Sequence, residues 1–311
     1  MQEVIDAVQA FFDHLAAVRW APLGYACACQ LAKLIVISRA WRNVLAAAYP
    51  EARVTWLRCF EAWVAGAGVN AVIPARGGDV VKLFIAKRGI VGSTYPTLVS
   101  TVLLLSLFDM VVAGGFVAWA LTQHLLPTLD ILSRIPSFDF GWFVRHPRLA
   151  AVIAGVVLAL LLVGTVWTRR RVIEFRARVA QGFAVLHDRP RYLRTVLFWQ
   201  VCDWALRLAT IFFFLRAFGV AATPHSVVLV QVSQSLASIF PVSPGGLGTE
   251  QALLLYLFRG VTSRTGALGF SVGMRVTLAV VNVALGAAAI LITVRTLHWR
   301  RAIAEQEREA K

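Results

Sequence analysis

The chain has 311 residues, enough for two soluble domains, but 59% of them are hydrophobic and only 15% charged. A soluble domain carries about 45–50% apolar and roughly 25% charged residues, so this chain could not cover its own surface in water. The net charge of +15 would suggest nucleic acid in a soluble protein; in a chain with mean hydropathy +0.71 it points to cytoplasmic loops and anionic headgroups, and nucleic acid is set aside as a partner.

Residues 1–18 carry Glu3, Asp6, Asp13 and His14, with no basic start and no small-residue cleavage site, which is not the pattern of a signal peptide. A helix needs about 20 apolar residues to cross hydrocarbon. Predicted spans fall at 20–37, 56–73, 95–121, 149–168, 196–218 and 271–294, with tryptophans such as Trp20, Trp56, Trp167 and Trp299 near their ends. Between the fourth and fifth, eight arginines face only Glu174 and Asp188, so the segment 169–195 is assigned to the cytoplasm, as is the basic tail 295–311. Counting crossings back from there puts 74–94 inside and 38–55 outside, although the latter holds Arg39, Arg42 and Arg53. The expectation is one polytopic all-α membrane domain over residues 1–311.

Two apolar stretches are interrupted. The first reads Asn70-Ala-Val-Ile-Pro74-Ala-Arg76-Gly77-Gly78-Asp79, followed by Lys82 and Arg88-Gly89. The second, inside 226–258, reads Pro241-Val-Ser-Pro244-Gly245-Gly246-Leu247-Gly248-Thr-Glu250, followed by Arg259-Gly260. Proline and glycine at this density end one helix and begin another. Unpaired backbone costs several kcal/mol per group in lipid, so such breaks survive only inside protein or against a wet cavity. Paired breaks in corresponding halves point to a transporter site built from an internal, inverted repeat of broken or re-entrant elements. Free N–H groups at a helix start favour an anion, and the Arg76 fork suits phosphate oxygens. Ordinary turns at the membrane surface are the competing explanation.

Ionisable residues within spans are costly and face a bundle interior or cavity. Asp203 and Arg207, at i,i+4, suit an ion pair that serves either a site or the bundle alone. Lys33 and Arg275 read as snorkelling residues near span ends; Glu61 and Asp109 lie deeper. Gln231, Gln234, Ser235 and Asn282 line a polar path or bond between helices. The cysteines (27, 29, 59 and 202) lack metal spacing and read as small apolar residues. No P-loop, HExxH or GxSxG motif is present, and no catalytic set or cofactor is implied.

At its two interrupted motifs the chain resembles the flippase-like membrane domain of lysylphosphatidylglycerol synthases and its stand-alone relatives. The first signature of that family is matched by Asn70, Pro74, Arg76, Gly78, Asp79, Lys82 and Arg88, the second by Pro241, Pro244, Gly245, Gly246, Leu247, Gly248 and Glu250. The family's second acid often stands one residue later, where this chain has Gln251. No soluble synthase domain follows the last span, so headgroup modification is not implied. The resemblance implies movement between leaflets of an anionic phospholipid or lipid-linked glycan, in the inner (cytoplasmic) membrane of a bacterium. A lipid-modifying partner enzyme and self-association stay open. The alternative is a membrane-embedded enzyme or accessory subunit acting on lipid-linked sugars, with Asp79, Asp109 or Glu250 as acid/base groups.

Overall fold

A computed structural model describes residues 18–73, 77–123, 169–239 and 249–309, and among these every regular element is helical. The first helix, α1 (Trp20–Ala48), carries Pro22 in its opening turn, where proline costs no hydrogen bond, and stops just before Pro50. Helix α2 (Trp56–Val72) ends ahead of Pro74. Helix α3 (Gly77–Gly89) has Asp79 in its first turn and Lys87 and Arg88 in its last, the arrangement a helix dipole favours. Helix α4 (Tyr95–Thr122) starts at a Thr94 cap with Pro96 in its first turn. Helix α5 (Arg169–Gly182) is followed by a short turn and by α6 (Arg189–Ala217), which is capped by Asp188 and widened by a π-type turn at Leu193–Leu197. Then come α7 (Pro224–Ile239), α8 (Thr249–Leu257) and the long α9 (Arg264–Glu309).

Helix α1, helix α4, α6 and the first 29 residues of α9 are long and apolar enough to cross a bilayer. Leu103, Leu107, Met110 and Val111 on α4, and Val276, Val280 and Leu291 on α9, stand exposed, as side chains bathed in lipid do. The molecule is a polytopic helical membrane protein. Lipid is as apolar as leucine, so close packing rather than burial from water must hold its helices together.

The connections form a repeat. Helices α2 and α3 fold on each other as a hairpin, and so do α7 and α8; α2 lies against α9, and α7 against α4. Exchanging α1–α4 for α6–α9 reproduces each of these pairs. The corresponding helices α1 and α6 pack together and run antiparallel: Arg19 N–H donates to the Ala217 carbonyl at 2.9 Å, and Asn43 Nδ2 donates to the Thr195 carbonyl at 2.6 Å. An axis relating them must therefore lie across the helices, which makes the repeat inverted, as the paired breaks predict.

Each hairpin opens toward one end of the bundle. Arg58 Nη1, in the first turns of α2, donates to the carbonyl of Gly89 at the end of α3, at 3.1 Å. An apolar cluster at that end gathers Trp41, Leu45, Val54, Cys59, Ile90 and Leu98 with Val185 and Val196. A second cluster, at the other end, holds Val220, Val227, Leu257 and Phe258, where α7 begins and α8 finishes.

Three expectations need correction. Residues 38–48 belong to α1 instead of forming a loop, because nothing before Pro50 breaks the helix. Most of the predicted 74–94 loop is helix α3. The connection after α1 lies at the same end as the arginine-rich 169–195 segment, through Gln181 Nε2 to the Ala48 carbonyl at 2.7 Å, not at the opposite one. The reason is that α3 packs back along α2 as the second arm of a hairpin, so α4 starts near the end of the bundle at which α2 began. Arg39, Arg42 and Arg53 thus join the other basic segments, and the conflict with the positive-inside rule disappears. The predicted span at 149–168 lies outside the described residues.

Candidate functional site

Between the two apolar clusters the facing sides of α1 and α6 turn polar. On α1, Gln30 and Lys33 come between Ala26 of one cluster and Ile37 of the other; on α6, Asp203 and Arg207 come between Val196 and Ile211. A cavity of about 350 Å³ opens at this level, lined by Gln30, Lys33, Trp63, Asn70, Asp109, Asp203, Arg207 and Asn282 among others.

Its charges form one network. Arg207 Nη2 stands 3.4 Å from Asp203 Oδ2 and 3.8 Å from Asp109 Oδ2, so the i,i+4 pair expected on α6 reaches across to α4. Trp204 Nε1 donates to Asp109 Oδ1 at 2.8 Å, and the Arg207 guanidinium lies 4.5 Å from the Trp204 ring. Lys33 sits in the field of Asp203, Asp109 and Arg207. Two cations thus face two carboxylates, a balance that limits the cost of holding charge at membrane depth. Arg207 Nε is buried and, among the described residues, has no hydrogen-bond partner. Such a donor is expensive to leave unmet in an apolar setting.

The first interrupted motif forms one wall. Asn70, two residues from the end of α2, accepts a hydrogen bond from Gly78 N–H at 2.8 Å and so caps α3 across the break. A side chain at Gly78 would run into the Gly66 carbonyl and Asn70, so only glycine lets the hairpin arms touch here. Behind this contact Asp79 pairs with Lys82 at 3.0 Å, and the Lys82 ammonium lies 4.1 Å from the ring of Trp63. Trp63 in turn lines the cavity. Gly77 begins α3, while Pro74 and Arg76 lie outside the described residues.

Of the second motif, Pro241, Pro244, Gly245, Gly246 and Gly248 also lie outside the described residues. Glu250 lies in the first turn of α8 and pairs with Arg275 on α9 at 3.2 Å, with Gln234 of α7 also bonded to it. These residues do not line the cavity. Arg275 is therefore a partner of Glu250 rather than a snorkelling residue.

Gln30 and Trp63 carry no signal in the sequence, and Lys33 is not the snorkelling residue expected. It stands near the middle of α1, not near a span end, because α1 continues eleven residues past Ile37. The opposite wall is closed by Gln30 Nε2 donating to Asn282 Oδ1 at 3.0 Å, where α1 meets α9. A polytopic helical membrane protein with a charged hollow at mid-depth is the class that fold and site define. Within it, the chain belongs to the lysylphosphatidylglycerol synthase transmembrane-region family, whose model matches residues 7–308, nearly the whole chain. No curated protein and no solved structure matches it significantly.

Proposed function

We propose that the protein moves the polar head of a lipid from one leaflet to the other through the cavity between α1 and α6. The observation that carries this reading is the mid-depth charge network with the unpartnered Arg207 Nε beside it. A phospholipid head brings a phosphate, which Lys33 and Arg207 suit, and often an amine, which Asp109 and Asp203 suit. The two hairpins then act as re-entrant elements entering from opposite faces. Arg76, in the first break, is the further cation proposed to meet the phosphate, and Pro241–Glu250 forms its counterpart. The cargo is an anionic phospholipid or a lipid-linked glycan, and the membrane is the inner, cytoplasmic one. The sequence holds no nucleotide-binding motif, so a gradient, a partner or the lipid's own concentration difference drives the movement.

The test is purified protein in liposomes with a fluorescent-headgroup phospholipid, its outward movement read by quenching with a membrane-impermeant reductant. Loss of one charge-assisted hydrogen bond is worth about 1.5–3 kcal/mol, so Lys33→Met, Arg207→Met and Arg76→Ala should each slow transfer by about 10- to 100-fold. Wild-type rates in all three would end the proposal. Recovery of chemically altered lipid by mass spectrometry would replace transport with catalysis on the lipid.

A further inference from the structure

A second hollow of about 530 Å³ lies at the basic end of the bundle, lined by Arg39, Arg42, Asn43, Arg53, Trp56 and Trp199. It is separate from the transport cavity: Arg39 follows Lys33 by six residues on α1, about 9 Å along the helix. Two of its arginines are already held in place. The Arg39 guanidinium stacks 4.1 Å from the Trp56 ring, and Trp56 Nε1 is itself fixed by donating to Ser38 Oγ at 3.0 Å. Arg42 donates through Nε to the Val54 carbonyl at 3.2 Å and through Nη1 to Asn43 Oδ1 at 3.2 Å. Asn43 in turn donates to the Thr195 carbonyl, which ties α1 to α6. Among the described residues, no carboxylate forms a salt bridge with any of the three arginines. Three fixed or exposed guanidinium groups around one hollow, none salt-bridged to a described carboxylate, make a receptor for an anion.

The surroundings say which anion. Leu57 follows Trp56 and Phe198 precedes Trp199 in the chain, and both are more than half exposed, as apolar surface beside a membrane-level cleft is when acyl chains cover it. The two tryptophans suit the headgroup level of a bilayer. We propose that this cleft binds the phosphate of an anionic phospholipid, with the acyl chains lying over Leu57 and Phe198. The ligand is a lipid resident at the arginine-rich face, not one passing through the cavity, so the site stands whether or not the protein transports.

The full chain purified in detergent is incubated with phosphatidic acid, phosphatidylcholine or inorganic phosphate, and bound ligand is counted by native mass spectrometry. Phosphatidic acid should remain bound where phosphatidylcholine is lost. A polybasic contact is worth about fivefold per arginine at a membrane surface, so Arg39→Gln/Arg53→Gln should weaken retention about 30-fold. Lys33→Met changes the transport cavity alone, so the loss of phosphatidic acid caused by Arg39→Gln/Arg53→Gln should persist in full in a Lys33→Met background, which separates failure of this site from failure of the transport reading. Arg42 is left in place because it braces Val54; should the double variant not fold, Arg53→Gln alone, on an exposed side chain, should still weaken binding about fivefold. Equal retention of phosphatidic acid by wild type and folded variant, equal retention of phosphatidylcholine, or displacement by equimolar inorganic phosphate would each overturn the proposal.

Discussion

Replacing Gly68 with alanine is expected to loosen the seam between α2 and α9. A Cβ built on Gly68 lies 2.7 Å from Gly286 Cα and 2.7 Å from the Asn282 carbonyl oxygen, both backbone atoms that cannot rotate away. Carbon pairs rest at about 3.5–4.0 Å, so the helices must part by close to 1 Å. Overpacking of this kind costs about 1–3 kcal/mol, set against a gain of up to about 1 kcal/mol from alanine's better helix propensity. The net expectation is a loss of about 1–2 kcal/mol. Gly114→Ala is the control: it makes the same chemical change inside α4, where nothing lies within 4 Å of the new atom, and stability should hold or rise by up to about 1 kcal/mol. Thermal unfolding in detergent, followed by the fluorescence of the ten tryptophans, reads both. Gly286→Ala should behave like Gly68→Ala, and the double variant should cost less than the sum, since one contact is broken twice. A Gly68→Ala protein that melts at or above Gly114→Ala would refute the account of α2 and α9 as held by glycine-on-glycine approach.

Asn70→Ala should cost about 1 kcal/mol through loss of the cap on Gly78 N–H, and hydrogen exchange should rise in the first turn of α3 while α1 is unchanged; unaltered exchange there would show that the cap is not made. With the four native cysteines replaced, Val91→Cys and Val261→Cys should label from opposite sides. If the positive-inside rule holds for the arginine-rich end, a membrane-impermeant thiol reagent outside intact cells should reach Val261→Cys only; the reverse pattern would invert the topology.

Composition alone was enough to place the chain in a membrane, since 15% charged residues leave no soluble alternative. The Asp203–Arg207 pair was legible too, because i,i+4 spacing on a helix leaves two opposite charges little choice but to meet. Asp109 and Asn282 stood out for a different reason, as polar groups set within predicted spans. Lys33 was not legible. Its role depends on where α1 stops, and the arginines at 39 and 42 look like a loop until the helix is seen to run on to Ala48. The pairing of α2 was hidden as well: an apolar run of 17 residues looks the same whether it stands alone or forms one arm of a hairpin, and only its contact with α3 shows which. Glu250 and Arg275, 25 residues apart, carried no spacing signal to announce their bond.

The antiparallel pairing of α1 and α6 has a consequence for anything charged that enters from either face. Lys33 lies 13 residues from Trp20 and 15 from Ala48, about 20 Å and 22 Å along the helix. Its carboxylate neighbours, Asp203 on α6 and Asp109 on α4, share that depth. On the transport reading proposed above, a headgroup entering from either end would travel nearly the same distance before meeting the same four charges. The midpoint favours neither direction, and any preference for one end must come from what stands at the two mouths, where the run of arginines in 169–194 gathers at one of them.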